Sequence, residues 1–390
     1  MKALCWNGVN DLRVENVPDP SILNPRDAIV EVTLSSVCGS DLHLIDGYVP
    51  TMQPGDIIGH EFMGTVVDTG SEVRRLKKGD RVVVISIIGC GECWHCKQQE
   101  YSLCDNSNHQ PQAEELLFGQ CTAAIFGYSH AFGGYAGSHA QYIRVPFADQ
   151  GACKVPDGVR DEQAVFVSDA APTGFMAAEM AAIQPGDVVA VWGAGGVGQM
   201  AMRIAWLMGA ERVIAIDRLP DRLSLARTGS KAETLDYTQV NVYDALLEMT
   251  GGRGPDRCID AVGMEAYAPT ADYWYDRAKQ MAKLSLDRVS VLRQMVQCCR
   301  KGGTISIVGV YAGLIDKFPM GAAMNKALTF RMGQQHGQKF APQLFEWIRE
   351  GRLETADILT HRMSLDAGAE GYRMFKEKRN DCMRVVFAPH

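Results

Sequence analysis

The chain has 390 residues, 46% of them hydrophobic and 22% charged, enough for two or three folded units at roughly 150 residues each. Thirty-nine basic against 46 acidic residues leave a net charge of -7, so no basic surplus points to nucleic acid or to an anionic membrane as partner. The longest apolar run, 82–88 broken only by Ser86, falls far short of the roughly 20 residues of a membrane span. No export signal is read at Met1-Lys2-Ala3-Leu4, so a cytoplasmic location is expected, and the 12 cysteines read better as metal ligands than as disulfides.

Taken in chain order, residues 28–34, 62–68, 81–87 and 140–145 carry β-branched side chains between glycine and proline turn signals, which predicts an irregular β-barrel. Within this half, Cys90, Cys93, Cys96 and Cys104 offer four thiolates in a short loop. A closed tetrahedral zinc site requires that set, whereas a catalytic zinc needs an open position. An iron–sulfur cluster takes the same four ligands, and free thiols are the plain alternative. His95, inside the loop, reads as a solvated side chain.

From about Pro172 the texture changes. Short apolar strands at 187–192, 212–216, 257–261 and 304–308 alternate with long helical stretches, the pattern of a parallel, doubly wound sheet. The first strand runs into Gly193-Ala194-Gly195-Gly196-Val197-Gly198, followed by a good helix over 199–208. Glycine at 193 permits a tight turn, at 195 a close approach of a pyrophosphate, and at 198 the packing of helix on sheet. Asp217 ends the second strand, where a dinucleotide-binding fold places an acidic residue. Residues 265–293, charged and aromatic, read as an inserted helical element covering part of the bound dinucleotide. The final strand, 383–387, is expected to dock back onto the first domain, so the domains are expected at 1–171, 172–332 and 333–390, the last returning to the first.

Cys38 with Ser40 and His43, Gly59-His60-Glu61, the four-cysteine loop, Asp169 followed by Pro172-Thr173-Gly174, and the glycine turn together resemble the zinc-dependent medium-chain alcohol dehydrogenases over nearly the whole chain. The resemblance is nearest to the glutathione-independent formaldehyde dehydrogenase branch, on Ser168-Asp169, on Gly133-Gly134-Tyr135-Ala136-Gly137 and on the inserted segment around Tyr275. It implies a GroES-like irregular β-barrel catalytic domain and a Rossmann domain, two zinc ions per chain, NAD, and a homo-oligomer, dimer or tetramer, acting on a small alcohol or aldehyde.

Carried over residue by residue, the catalytic zinc ligands fall on Cys38, His60 and Asp169, with water or substrate oxygen in the fourth place, and the structural zinc falls on the four-cysteine loop. Many relatives use a second cysteine where this chain has Asp169, and a carboxylate makes the zinc a harder Lewis acid. Glu61 resembles the carboxylate that approaches the metal, and Ser40 and His43 the proton relay. Thr173, Gly193, Gly195, Gly196, Val197, Gly198, Asp217, Arg222, Val262, Val308 and Gln334 are the implied cofactor contacts. The resemblance implies hydride transfer between NAD and a small alcohol or aldehyde, with formaldehyde hydrate as a candidate. A polyol or amino-alcohol dehydrogenase, an aldehyde dismutase retaining NAD, and a non-catalytic zinc- and nucleotide-binding homologue are the alternatives.

Overall fold

The computed structural model describes residues 1–264, 289–311, 315 and 317–390. The chain divides into two compact units, one formed by Met1–Pro172 with Gln335–His390 and the other by Thr173–Gln334.

In the first unit the long strands Ala28–Ser36 and Glu61–Thr69 pair antiparallel, and their alternation turns Val30, Val32, Phe62 and Val66 into one apolar core with Val82, Val84, Phe126 and Ile143. Around them the sheet runs His361–Ser364, Val385–Ala388, Ala28–Ser36, Glu61–Thr69, Arg81–Val84, Ala152–Lys154, with Tyr142–Val145 also pairing on Ala28–Ser36. The C-terminal strand joins the sheet through Phe387 opposite Ser35 and Val386 opposite Ser36. The strand expected over 81–87 leaves the ladder after Val84. There Ile85 N–H turns to the Gly151 carbonyl and Ser86 N–H to the Ser168 carbonyl. That departure brings Ser86 alongside Asp169.

The second unit carries a six-stranded parallel sheet in the order Glu233–Asp236, Arg212–Asp217, Val188–Trp192, Arg257–Asp260, Thr304–Ile307, Thr329–Met332. Val188–Trp192 is buried along its whole length, as a central parallel strand covered on both faces must be, and its residues are almost all apolar. The order reverses between Val188–Trp192 and Arg257–Asp260, the switch point at which such sheets bind ligands. The two edge strands escape a reading for apolar runs: Glu233–Asp236 is ETLD and Thr329–Met332 is mostly exposed. Residues 265–288, most of the expected insertion, lie outside the described residues. Its last residues, 290–293, belong to the helix Ser290–Cys298, whose Leu292, Met295 and Val296 are buried in the core of this unit. That helix lies between two adjacent parallel strands, where a crossover element is required.

Among the described residues, no helix is long and apolar enough to cross a membrane.

Candidate active site

The four cysteines of the loop converge: their sulfurs lie within 4.8 Å of one another, with Cys90 Sγ 3.9 Å from Cys96 Sγ and Cys93 Sγ 4.0 Å from Cys104 Sγ. A tetrahedron with metal–sulfur bonds of about 2.3 Å has edges of about 3.8 Å, so the spacing fits a closed zinc site. Backbone donors reinforce it. Glu92 and Cys93 N–H point at Cys90 Sγ, Cys96 N–H at Cys93 Sγ, and Cys90 and Asn106 N–H at Cys104 Sγ. Such donors favour thiolates, the form a metal requires. His95 bonds Glu100 outside this set.

The dispersed constellation also converges. Cys38, His60, Glu61 and Asp169 each present a ligand atom within 4.8 Å of the others, although Cys38 and Asp169 are 131 residues apart. Cys38 follows the strand Ala28–Ser36, His60 immediately precedes the strand Glu61–Thr69, and Asp169 follows the short helix Val165–Ser168. Asp169 Oδ2 lies 3.8 Å from Cys38 Sγ and 4.0 Å from His60 Nε2, leaving room for an ion among three unlike donors. One sulfur, one imidazole nitrogen and one carboxylate oxygen form a three-ligand set that suits zinc with an open fourth position. Ser40 Oγ sits 3.3 Å from His60 Nε2, and His43 is buried one turn further along the short helix Asp41–Ile45.

Behind these candidate ligands lies a layer that the sequence pattern does not reveal. His60 Nδ1 is 3.0 Å from Asp41 Oδ1, so Asp41 orients the imidazole and leaves Nε2 facing Cys38 and Asp169. Asp41 Oδ2 accepts from Cys38 N–H at 2.9 Å and from the Tyr372 hydroxyl at 2.9 Å. Because Tyr372 donates to Asp41, it accepts from His139 Nε2 at 2.8 Å, and His139 Nδ1 accepts from Ser35 Oγ at 2.7 Å. Burial pushes the His139 imidazole down to about 4, so this chain is neutral apart from Asp41. The one available signal was the spacing Cys38-Gly-Ser-Asp41, a carboxylate one helical turn from a ligand. Replacing Asp41 by Asn should keep an acceptor for Cys38 N–H yet loosen His60, and chelator competition should show zinc affinity falling about 10- to 100-fold. Unchanged affinity would remove the orienting role of Asp41.

Glu61 is fully buried beside the ligand set, with Arg384 Nη1 3.2 Å from its Oε1. The same guanidinium nitrogen donates to the Val37 carbonyl at 2.6 Å. Burial pushes the Glu61 carboxyl up to about 7 against the opposing pull of Arg384. Glu61, Cys38 and Asp169 all act on this one guanidinium, a buried donor-rich cluster of the kind that a divalent cation would compensate.

In the second unit, the turn after Val188–Trp192 has the geometry of a phosphate cradle. Gly193 adopts φ +91°, and a Cβ on Gly198 would lie 1.8 Å from the Gly193 carbonyl oxygen, so no side chain fits at 198. The helix Gly196–Leu207, which includes Val197, begins there with its N–H groups free to face an anion. Asp217 ends its strand with a carboxylate accepting from Ala194 N–H at 2.8 Å, Arg218 N–H at 2.7 Å and Leu219 N–H at 3.1 Å. It therefore ties the glycine turn to the neighbouring strand. Arg222 reaches Gly195, its Nη1 lying 3.3 Å from where a Cβ would sit, and its buried Nε has no hydrogen-bond partner among the described residues. That orphaned donor beside the cradle suits an anionic or ribose-bearing ligand.

Val262 packs over Gly193, its Cγ2 2.8 Å from a Cβ position there. Val308 and Gln334 follow the strands Thr304–Ile307 and Thr329–Met332, so with Val262 they mark the C-terminal edge of the sheet; Gln334 is exposed. Thr173 stands on the helix Ala170–Ala181 next to Gly174, where that helix packs on Met200. Asp260, unread in the sequence, is buried at the same edge and accepts from Val262 N–H, Gly263 N–H and the Tyr311 hydroxyl.

A six-stranded Rossmann-type sheet in one unit and, in the other, an irregular β-sheet with two metal-ligand clusters define a zinc-type oxidoreductase of two-domain architecture. Comparison with known proteins agrees. Residues 24–157 match the alcohol dehydrogenase GroES-like domain family and residues 196–273 the zinc-binding dehydrogenase family. The chain is 40% identical over 392 residues to the uncharacterized zinc-type alcohol dehydrogenase-like protein AdhB of Bacillus subtilis, covering 100% of both. The structure of alcohol dehydrogenase TADH from Thermus sp. ATN1 superposes with a TM-score of 0.84 at 31% identity, covering 100% of this chain and 99% of that one. A glutathione-independent formaldehyde dehydrogenase of Pseudomonas aeruginosa is 30% identical over 402 residues, covering 96% of this chain and 94% of its own. The chain belongs to the zinc-type medium-chain alcohol dehydrogenase family.

Proposed function

We propose that the protein is an NAD-linked dehydrogenase interconverting a small alcohol and its aldehyde, with formaldehyde hydrate oxidised without glutathione as its substrate. In this reading Cys38, His60 and Asp169 hold a catalytic zinc and Cys90, Cys93, Cys96 and Cys104 a structural one. The observation that carries it is the convergence of three unlike ligand atoms beside Ser40. Bound zinc would supply Lewis acidity and bound NAD a hydride acceptor.

The chain's own residues do the rest. Ser40 takes the alcohol proton, since its hydroxyl stands beside the ligand set, and hands its own on toward His43 in the helix that begins at the next residue. Asp41 keeps the Nδ1 proton of His60 in place. Arg384 balances Glu61, so a second carboxylate is held next to the ligands without an unpaired buried charge. The helix N-terminus at Gly196 and the Arg222 guanidinium receive the cofactor's anionic and ribose groups.

Formaldehyde hydrate is a geminal diol and reacts as an alcohol. Support for it comes from the Pseudomonas aeruginosa relative and from Asp169-x-x-Pro-Thr-Gly. A panel of alcohols and aldehydes with NAD, followed by reduced-cofactor absorbance with and without glutathione, tests the reading. We expect turnover of formaldehyde without glutathione. Strict glutathione dependence sinks the branch assignment, and inactivity on the whole panel by zinc-loaded protein sinks the function.

NAD is the expected cofactor rather than NADP, because a 2′-phosphate would meet the Asp217 carboxylate. At about 4 Å two unit charges repel by roughly 1 kcal/mol in water and about 4 kcal/mol at an effective dielectric of 20. Asp217→Ala should therefore shift preference toward NADP by about 5- to 1000-fold. NAD use should also weaken, because the Ala194 anchor of the glycine turn is lost. Equal kcat/KM for both cofactors in the wild type would show that Asp217 does not discriminate.

A further inference from the structure

The two oxygens of Asp169 have different surroundings. Oδ2 faces Cys38 and His60, whereas Oδ1 accepts a hydrogen bond from Ser86 Oγ at 2.8 Å. Ser86 is 1% exposed, and its backbone N–H bonds the carbonyl of Ser168, the residue before Asp169. Its hydroxyl in turn accepts from Gln335 Nε2 at 2.9 Å, and Gln335 is likewise buried. The direction of this chain follows from proton counting. An ionised carboxylate only accepts, and serine has one proton, so Ser86 donates to Asp169 and takes its second bond from the Gln335 amide. The charge-assisted bond to the carboxylate is the stronger of the two.

A carboxylate ligand has a freedom that a thiolate lacks: either oxygen can turn to a metal, or both together. An anchor on Oδ1 removes that freedom and leaves Oδ2 as the single donor. We propose that Ser86, held by Gln335, is a positioning residue that makes Asp169 a one-oxygen metal ligand, and that it is matched to a carboxylate at this position and not to a cysteine. The proposal rests on the reading of Asp169 as a zinc ligand. Ser86 interrupts the apolar run 82–88 and has no role in the sheet ladder, which ends at Val84.

The test uses the full chain, with zinc affinity at the Cys38, His60 and Asp169 site read by competition with a chromophoric chelator. Ser86→Ala is expected to lower that affinity about 10- to 100-fold and to move the visible band of cobalt-substituted protein, with far-ultraviolet circular dichroism unchanged. In an Asp169→Cys background the same change should alter affinity by less than about threefold, since a thiolate has no second oxygen to anchor. An equal loss in both backgrounds, or none in the wild type, overturns the proposal. If Asp169→Cys does not fold, the cobalt band of Ser86→Ala decides, and an unmoved band overturns it. Asp169→Ala separates the two ideas. If it leaves metal content intact, the ligand reading itself fails, whereas metal loss in Asp169→Ala without an effect of Ser86→Ala defeats only the role of Ser86.

Discussion

Asp169→Ala is expected to lower kcat/KM by on the order of 10³- to 10⁴-fold while the protein stays folded. A metal ion contributes several kcal/mol of transition-state stabilisation, and each 1.36 kcal/mol is tenfold in rate. With Asp169 gone, Cys38 and His60 remain of the three proposed ligands, and Glu61, the fourth donor within 4.8 Å, is paired with Arg384. The structural cost is small by comparison. Ser86 loses an acceptor, worth about 1–3 kcal/mol when buried, against a typical total stability of about 5–15 kcal/mol. Part of that is offset, because the Asp169 charge also opposes ionisation of buried Glu61. Steady-state kinetics paired with metal analysis and thermal unfolding check the claim. Activity within tenfold of wild type would refute the role of Asp169, and loss of activity through loss of fold would reassign it to stability.

Cys104→Ser should have the second largest effect, and on a different quantity. Its sulfur is buried and receives two backbone N–H groups, at the end of a loop whose cysteines pack with Leu44, Ile87, Ile125 and Tyr128. A serine hydroxyl is a poor ligand for zinc and leaves three thiols facing one another. Structural zinc sites contribute about 10–16 kcal/mol where they fold an isolated peptide. Even a fifth of that, about 2–3 kcal/mol, should lower a domain's unfolding midpoint by roughly 5–10 °C. Metal analysis should then find one zinc per chain where two are expected in the wild type. Full retention of both ions by the variant, or a single ion in fully loaded wild type, contradicts the two-site assignment.

How much of this was legible depends on sequence separation. The glycine turn and the four-cysteine loop are local: their geometry is made by residues a few positions apart, so spacing alone conveys it. The central strands are legible for a related reason, since burial on both faces demands an apolar run such as Val188–Trp192. The edge strands Glu233–Asp236 and Thr329–Met332 are not, because one side of each faces solvent and their side chains are free to be polar. The proposed ligands Cys38, His60 and Asp169 are reached through resemblance, as no local pattern joins residues 131 apart.

The sequence by itself determined the kinds of donor, the glycine turn and the alternation of strand and helix. Only the tertiary structure decided what surrounds the donors: Asp41 and Tyr372 behind His60, 331 residues apart; Arg384 against Glu61; Ser86 on the far oxygen of Asp169. These contacts are made when distant segments pack and buried polar atoms must find partners, and that requirement selects pairs by their place in the fold.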